Sequence, residues 1–319
     1  MSSSSENVDH LVDKLWVIAV LNNPSRFKRR VQLFKEFVDR MKAYGVRLCI
    51  VEVAYGERNF ETADIEADVK VNLRSTTVLW QKENMINIGI SRLPNDWKYV
   101  AWIDTDIDFV NKNWVSDTIH ELQLHHVVQL FVDAIDLGPD GEIMNTAKSF
   151  MYCYKEGMPK MKRSYYSSRR PKGIYWHPGY AWAATRHAIQ TVGSLFDYGI
   201  LGAGDYHMAC SLIGECQLSL QDGLTDDYKN QLIKWQKLAS ALHHNVGYVD
   251  GTIYHYWHGK KGDRRYGDRW KILVRNKYRP TRDVYYDWQG LLVFHEKNHQ
   301  LRDDIRRYFD GRNEDSIDL

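Results

Sequence analysis

Apolar and polar residues alternate along the chain in blocks rather than singly. Leu15 to Leu21 is an unbroken apolar run of strand length, which marks a strand buried on both faces. After the loop Asn22–Arg26, apolar Phe27, Val31, Phe34, Val38 and Met41 recur at steps of three and four, a helical period that Gly45 stops. A second buried strand is read over 46–53, a helix over about 81–92, a third strand over 98–104, a helix near 113–124 and a strand over 126–132. Strands alternating with helices over long crossovers predict an α/β fold with a parallel sheet covered by helices.

The second half is less regular. Residues 140–175 read as a long basic loop rich in tyrosine, followed by a strand over 179–185 and a helix opening near Asp205. An amphipathic helix is expected over 227–242, a strand over 251–259 and a helical tail from about 287 to 310. No repeat or Gly/Ser linker divides the chain. The expected organisation is a disordered polar tail (1–14), one domain (15–275) and a C-terminal helical extension packing on it (276–319).

Composition narrows the class without naming it. Hydrophobic residues make up 44% and charged residues 26%, which excludes a disordered or collagen-like chain. No apolar run approaches the roughly 20 residues of a membrane span, and the acidic N-terminal stretch is not a signal peptide. Four cysteines form no CxxC pair. These features predict a soluble protein with reduced thiols, cytoplasmic, or in the host cytoplasm if the source is viral.

Charge is unevenly placed although the net value is only +2. Residues 148–172 hold eight Lys/Arg against one acid, and 259–282 hold ten against two, both interleaved with aromatics. Each is read either as a solvated basic face or as a contact for a phosphate-bearing ligand, a nucleotide diphosphate or a nucleic acid.

The sharpest chemical feature is AWIDTDIDF. Asp104, Asp106 and Asp108 alternate, so an extended backbone would set all three on one face at the end of a buried strand, where ligands of α/β sheets bind. Clustered carboxylates there suit Mg²⁺ or Mn²⁺. His255 and His258, three residues apart before GKKGDRRYGDR, tilt the choice toward Mn²⁺. The ion could bridge a diphosphate whose oxygens meet Lys260, Lys261, Arg264, Arg265 and Arg269.

The order of these features resembles glycosyltransferases of the GT-A fold, of the beta-galactosyltransferase and polypeptide N-acetylgalactosaminyltransferase type. VLNNPSRFKRR corresponds to an Arg-bearing loop after the first strand, and WQKENMINIGI leads to the DxD strand. The resemblance spans about residues 15–275. It implies that Trp80 stacks on the nucleotide base, that Lys82 and Asn87 line that pocket, and that Arg26 and Arg29 lie near the nucleotide. It further implies that Asp104 holds a ribose or sugar hydroxyl, that Asp106 binds the metal, and that His258 and His255 complete the ligand set. Lys261 and Arg265 would be donor-binding. HPGYAWAATRHA, with Tyr180 and Trp182, and the loop beginning at Gly202 would face the acceptor, with Asp205 as catalytic base. Asp205 could equally cap the helix it opens. The chain departs from the family at Gly204, where inverting members carry Glu, and at Leu201, where an acceptor-stacking Trp is expected. The 148–172 segment has no counterpart.

The activity so implied is metal-dependent sugar transfer from a nucleotide-diphosphate donor to a hydroxyl acceptor, with a hydroxylated base in viral DNA as one candidate acceptor. Two rivals are a two-metal phosphohydrolase or nuclease built on Asp104, Asp106, Asp133, Asp136, His255 and His258, and a non-catalytic nucleic-acid-binding protein.

Overall fold

The computed structural model describes residues 15–159, 174–295 and 297–318. The expected disordered tail and the Lys160–Lys172 part of the first basic window lie outside the described residues. The strands are β1 (Leu15–Asn22), β2 (Arg47–Tyr55), β3 (Val69–Ser75), β4 (Tyr99–Ile103), β5 (Ile107–Phe109), β6 (Val127–Gln129), β7 (Asp133–Leu137), β8 (Ile143–Ser149), β9 (Trp176–His177), β10 (Ala181–Thr185), β11 (Val246–Tyr248), β12 (Thr252–His255), β13 (Val284–Tyr286) and β14 (Leu292–Phe294). The helices are α1 (Lys28–Ala43), α2 (Lys82–Ser91), α3 (Trp114–Leu124), α4 (Phe150–Lys155), α5 (Arg186–Val192), α6 (Gly204–Leu212), α7 (Asp226–Ala239), α8 (Asp268–Arg275), α9 (Pro280–Asp283) and α10 (His299–Asp310).

Seven strands form a central sheet in the order β11-β6-β10-β4-β1-β2-β3. The unbroken apolar run of β1 lies at its middle because both faces are covered. Trp16 and Ile18 join the core under α2, α5, α6 and α7, while Leu15, Val17, Ala19 and Leu21 join the core under α1 and α3. The sheet is mixed rather than wholly parallel: β10 runs antiparallel to both β4 and β6. A second sheet, β5-β12-β7-β8-β9, abuts the carboxyl end of β4.

Several expectations change. β3 carries a polar, partly exposed edge pattern that conceals it from a reading of apolar runs. The supposed loop over 140–175 contains β8 and α4, whose N-cap Ser149 accepts from the Tyr152 amide. The expected helical tail begins instead with the β13–β14 hairpin and becomes helical only at His299. All four cysteines are buried free thiols, and burial drives the Cys49 thiol up to about 12 and Cys153 up to about 11. Among the described residues, no helix is long and apolar enough to cross a membrane.

Candidate active site

The site forms where the two sheets meet. β4 ends at Ile103 and the chain turns through Asp104–Asp106 before β5 begins, so the three aspartates do not share one face. Asp108 is carried away from the others, 3.6 Å from Arg40 Nε and beside the Tyr256 hydroxyl. Asp104 and Asp106 remain at the carboxyl end of the central strand, where the sheet opens into a cleft.

β12 pairs with β5 on one side and β7 on the other, and that register sets His255 beside Ile107 and Asp136. Its Nε2 then lies 3.2 Å from His258 Nε2 and 3.8 Å from Asp106 Oδ2, while His258 Nε2 lies 2.9 Å from the same oxygen. Three atoms each about 2.1 Å from one octahedral divalent ion stand about 3 Å apart, so this triangle fits such an ion. Both imidazoles are buried, and Asp106 Oδ1 is buried without a hydrogen-bond partner. The two rings counteract the effect of burial and hold the Asp106 carboxyl well below its ordinary range. Among the described residues this is the one group of Asp, Glu, His and Cys with ligand spacing.

The back of the triangle is also built. His255 Nδ1 lies 2.9 Å from Asp136 Oδ1, and Asp136 takes further bonds from the Tyr180 hydroxyl (2.9 Å), Asn145 (3.0 Å) and Lys261. Carboxylates behind imidazoles orient them as metal ligands. Asp136 is thereby turned away from the ligand triangle, and Asp133 is paired with Lys148 at 2.9 Å, so the six-residue two-metal arrangement does not assemble. The Arg264 guanidinium lies 2.8 Å from His258 Nε2.

A cleft extends from the triangle between the loop after β1 and the start of α2. Trp80, Lys82, Asp104, Asp106 and His258 line it, joined by Arg30, Arg312 and Glu314. Lys82 forms an ion pair with Asp104. Burial alone would lower the Lys82 ammonium, but Asp104, Glu83 and Asp205 outweigh it and keep the charge in place. Burial raises the Asp104 carboxyl against the pull of Lys82, and the charge of Asp106 raises it further. The Trp80 indole donates to Glu83 Oε2 at 2.9 Å. Glu83 is nearly sealed from solvent, and burial pushes its carboxyl up to about 7.

Asp205 lies in the first turn of α6. It is not the cap residue: Ala203 holds that position with a left-handed backbone, and no side chain caps the helix. Gly202, at φ +96°, passes close to Trp80 and Arg269, and a β-carbon on Gly179 would come within 2.7 Å of Asp205 Oδ2. Gly202 thus admits the Trp80 indole to the cleft, and Gly179 admits the Asp205 carboxylate, which lines an adjoining apolar pocket with Trp102 and Trp182.

Other expected residues lie elsewhere. Asn87 sits on the outer side of α2, donating to Leu195 O and accepting from Leu195 N. Trp182 is a core residue whose indole donates to Pro178 O, and Tyr180 is buried on Asp136 and stacked at 4.0 Å on His177. Arg26 is exposed, Arg29 donates to Trp257 O at 3.0 Å, and Arg265 is exposed beside Gly311. Lys261 is spent on Asp136. The sequence reading passed over Arg30, Glu83, Arg312 and Glu314, none of which stands in a recognisable spacing; Asp136 entered it only as a member of the two-metal set.

No family model matches the chain, and no curated protein matches it. Among solved structures the chain is similar to the catalytic domain of Drosophila beta1,4galactosyltransferase 7 in complex with xylobiose, at 13% identity and a TM-score of 0.38, covering 91% of this chain and 99% of that one. A mutant of the same fly enzyme, in complex with manganese, UDP-Gal and xylobiose, matches equally. S. aureus TarS 1-349 matches at 12% identity and a TM-score of 0.36, covering 72% of each chain. The 4-diphosphocytidyl-2C-methyl-D-erythritol synthase of Anaerococcus prevotii matches at 11% identity and a TM-score of 0.35, covering 75% of this chain and 89% of that one. The functional reading below stands on the chain's own side chains.

Proposed function

We propose that the chain is a divalent-metal-dependent glycosyltransferase that moves a sugar from a nucleoside-diphosphate donor to a hydroxyl acceptor. The observation that carries this reading is the convergence of Asp106, His255 and His258 at the floor of a cleft that also presents an aromatic ring, cations and a separate carboxylate. Asp106, His255 and His258 would hold the ion, Mn²⁺ or Mg²⁺, which supplies positive charge against a departing diphosphate. Trp80 offers a face for the base. Lys82 lines the cleft with N–H donors for phosphate oxygens, and Asp104 accepts from a sugar hydroxyl. Asp205, set apart from the ligand triangle, takes the acceptor's proton as the new bond forms.

The phosphohydrolase reading loses support because Asp133 and Asp136 are engaged by Lys148 and by His255, Tyr180 and Lys261. Four described cations of the two basic windows are paired internally and offer a nucleic acid no free charge, while six of the first window's eight lie outside the described residues. Lys148 meets Asp133, Lys261 meets Asp136, Arg275 meets Asp304 and Arg282 meets Asp283.

The test is calorimetric titration with a panel of nucleoside diphosphates, with and without Mn²⁺, using Asp106→Ala as control. The reading requires metal-dependent binding of at least one nucleotide that the variant loses. Binding of none of them overturns it.

A further inference from the structure

The metal-ligand triangle is not closed by the α/β core alone. The segment after α10 returns across the mouth of the cleft, where Asp315 accepts from the backbone amides of Lys28 (3.0 Å) and Arg29 (2.8 Å) at the start of α1. The Trp257 indole donates to Ser316 O at 2.7 Å, which fixes the tail to the strand end that carries His258. Immediately before these anchors Glu314 turns inward and is 1% exposed. Arg30 and Arg312 neutralise it, Arg30 through both Nε at 2.8 Å and a terminal nitrogen, Arg312 through Nε at 2.9 Å.

Glu314 Oε2 lies 3.8 Å from His258 Nδ1. The opposite nitrogen of that ring faces Asp106, His255 and the Arg264 guanidinium; an ion in the triangle would take the Nε2 lone pair, and the ring proton would then belong on Nδ1, toward Glu314. His255 has Asp136 behind its Nδ1 at hydrogen-bond distance, 2.9 Å, where Glu314 stands at ion-pair distance from His258. Each imidazole is thus backed by one carboxylate, one supplied by β7 and the other by the chain's C-terminal segment.

We propose that Glu314 is a positioning residue for the metal centre, holding His258 with Nε2 turned to the ion, so that the C-terminal segment is an integral part of the metal site. The inference rests on the metal-dependent reading above. Carboxylates in this position typically contribute 10- to 100-fold in metal affinity.

The test is calorimetric titration of the full chain with Mn²⁺ alone, comparing wild type with Glu314→Gln, Glu314→Asp and Glu314→Ala. Glu314→Gln, nearly isosteric, is expected to bind Mn²⁺ on the order of 10- to 100-fold more weakly with an unchanged circular dichroism spectrum. Glu314→Asp should recover part of the loss. Should Glu314→Ala fail to fold, the Gln and Asp variants still decide the matter. Wild-type Mn²⁺ affinity in Glu314→Gln overturns the positioning role while leaving the metal reading intact. A wild type that binds neither Mn²⁺ nor any nucleoside diphosphate overturns both.

Discussion

Two carboxylates on one side of the cleft carry different burdens. Asp205 lines an apolar pocket and, among the described residues, accepts only from its neighbour's amide, Tyr206 N at 2.8 Å, which leaves it able to accept from an incoming hydroxyl. Asp205→Asn should lower sugar transfer by at least 100-fold while nucleotide affinity with Mn²⁺ stays within about twofold. Loss of nucleotide binding in that variant would count against a base at this position. Glu83 lies beneath, sealed by Gly204 and tied to the Trp80 indole. Its carboxyl stands at about 7 in the fold against an ordinary 4.5, so between those values the folded chain binds more proton than the unfolded one. Stability therefore falls as pH rises through that window. Glu83→Gln should remove this component, narrowing the loss between pH 5 and pH 8 by an amount of order 3 kcal/mol, measurable by urea denaturation at each pH. An identical pH profile in the variant would show that Glu83 ionises normally.

At the scale of elements, α6 owes its placement to a buried histidine rather than to a cap. His207 is inaccessible to solvent and bonded on both sides, to Ser219 Oγ at 2.7 Å and Tyr228 at 2.8 Å, and burial pushes its imidazole down to about 3. It stays neutral at every physiological pH. His207→Ala strips the Tyr228 hydroxyl of its partner around a void, while Ser219 keeps its bond to Cys216 O, and roughly 3 kcal/mol of stability should be lost, seen as a lowered urea midpoint. Gly179→Ala tests the same placement from the opposite side, because its new methyl group would displace the Asp205 carboxylate. Transfer should fall about tenfold or more with Mn²⁺ binding retained. The elements around this helix show what was legible beforehand. β1, β2, β4, α1, α2 and α7 announce themselves through local periodicity, and so do the DxD turn and the two histidines, whose spacing is short. Asp136, 119 positions from His255, and Glu314, 284 positions from Arg30, enter the site only through tertiary folding. The edge strand β3 stayed hidden because only one of its faces packs, and Asp108 misled because a turn replaces the extended backbone that its spacing suggests.

For the whole molecule, the metal-dependent reading couples metal to folding. Asp106 lies in the turn before β5 and the two imidazoles at and just after the end of β12, so the unfolded chain has no such triangle. Mn²⁺ at 100 times its dissociation constant should therefore stabilise the fold by about 2.7 kcal/mol. The unfolding temperature should rise by a few degrees, a chelator should reverse the rise, and Asp106→Ala should show none. An equal rise in Asp106→Ala would place the ion elsewhere. The four free thiols add a way to watch the molecule come apart. Cys49 lies in the central sheet, Cys153 on α4, Cys210 on α6 and Cys216 just after it, every one of them shut away from solvent. A thiol-specific dye can consequently reach each sulfur only when its own neighbourhood opens. The native chain carries four built-in stopwatches, and the order in which they run down gives the sequence in which the layers of the protein let go.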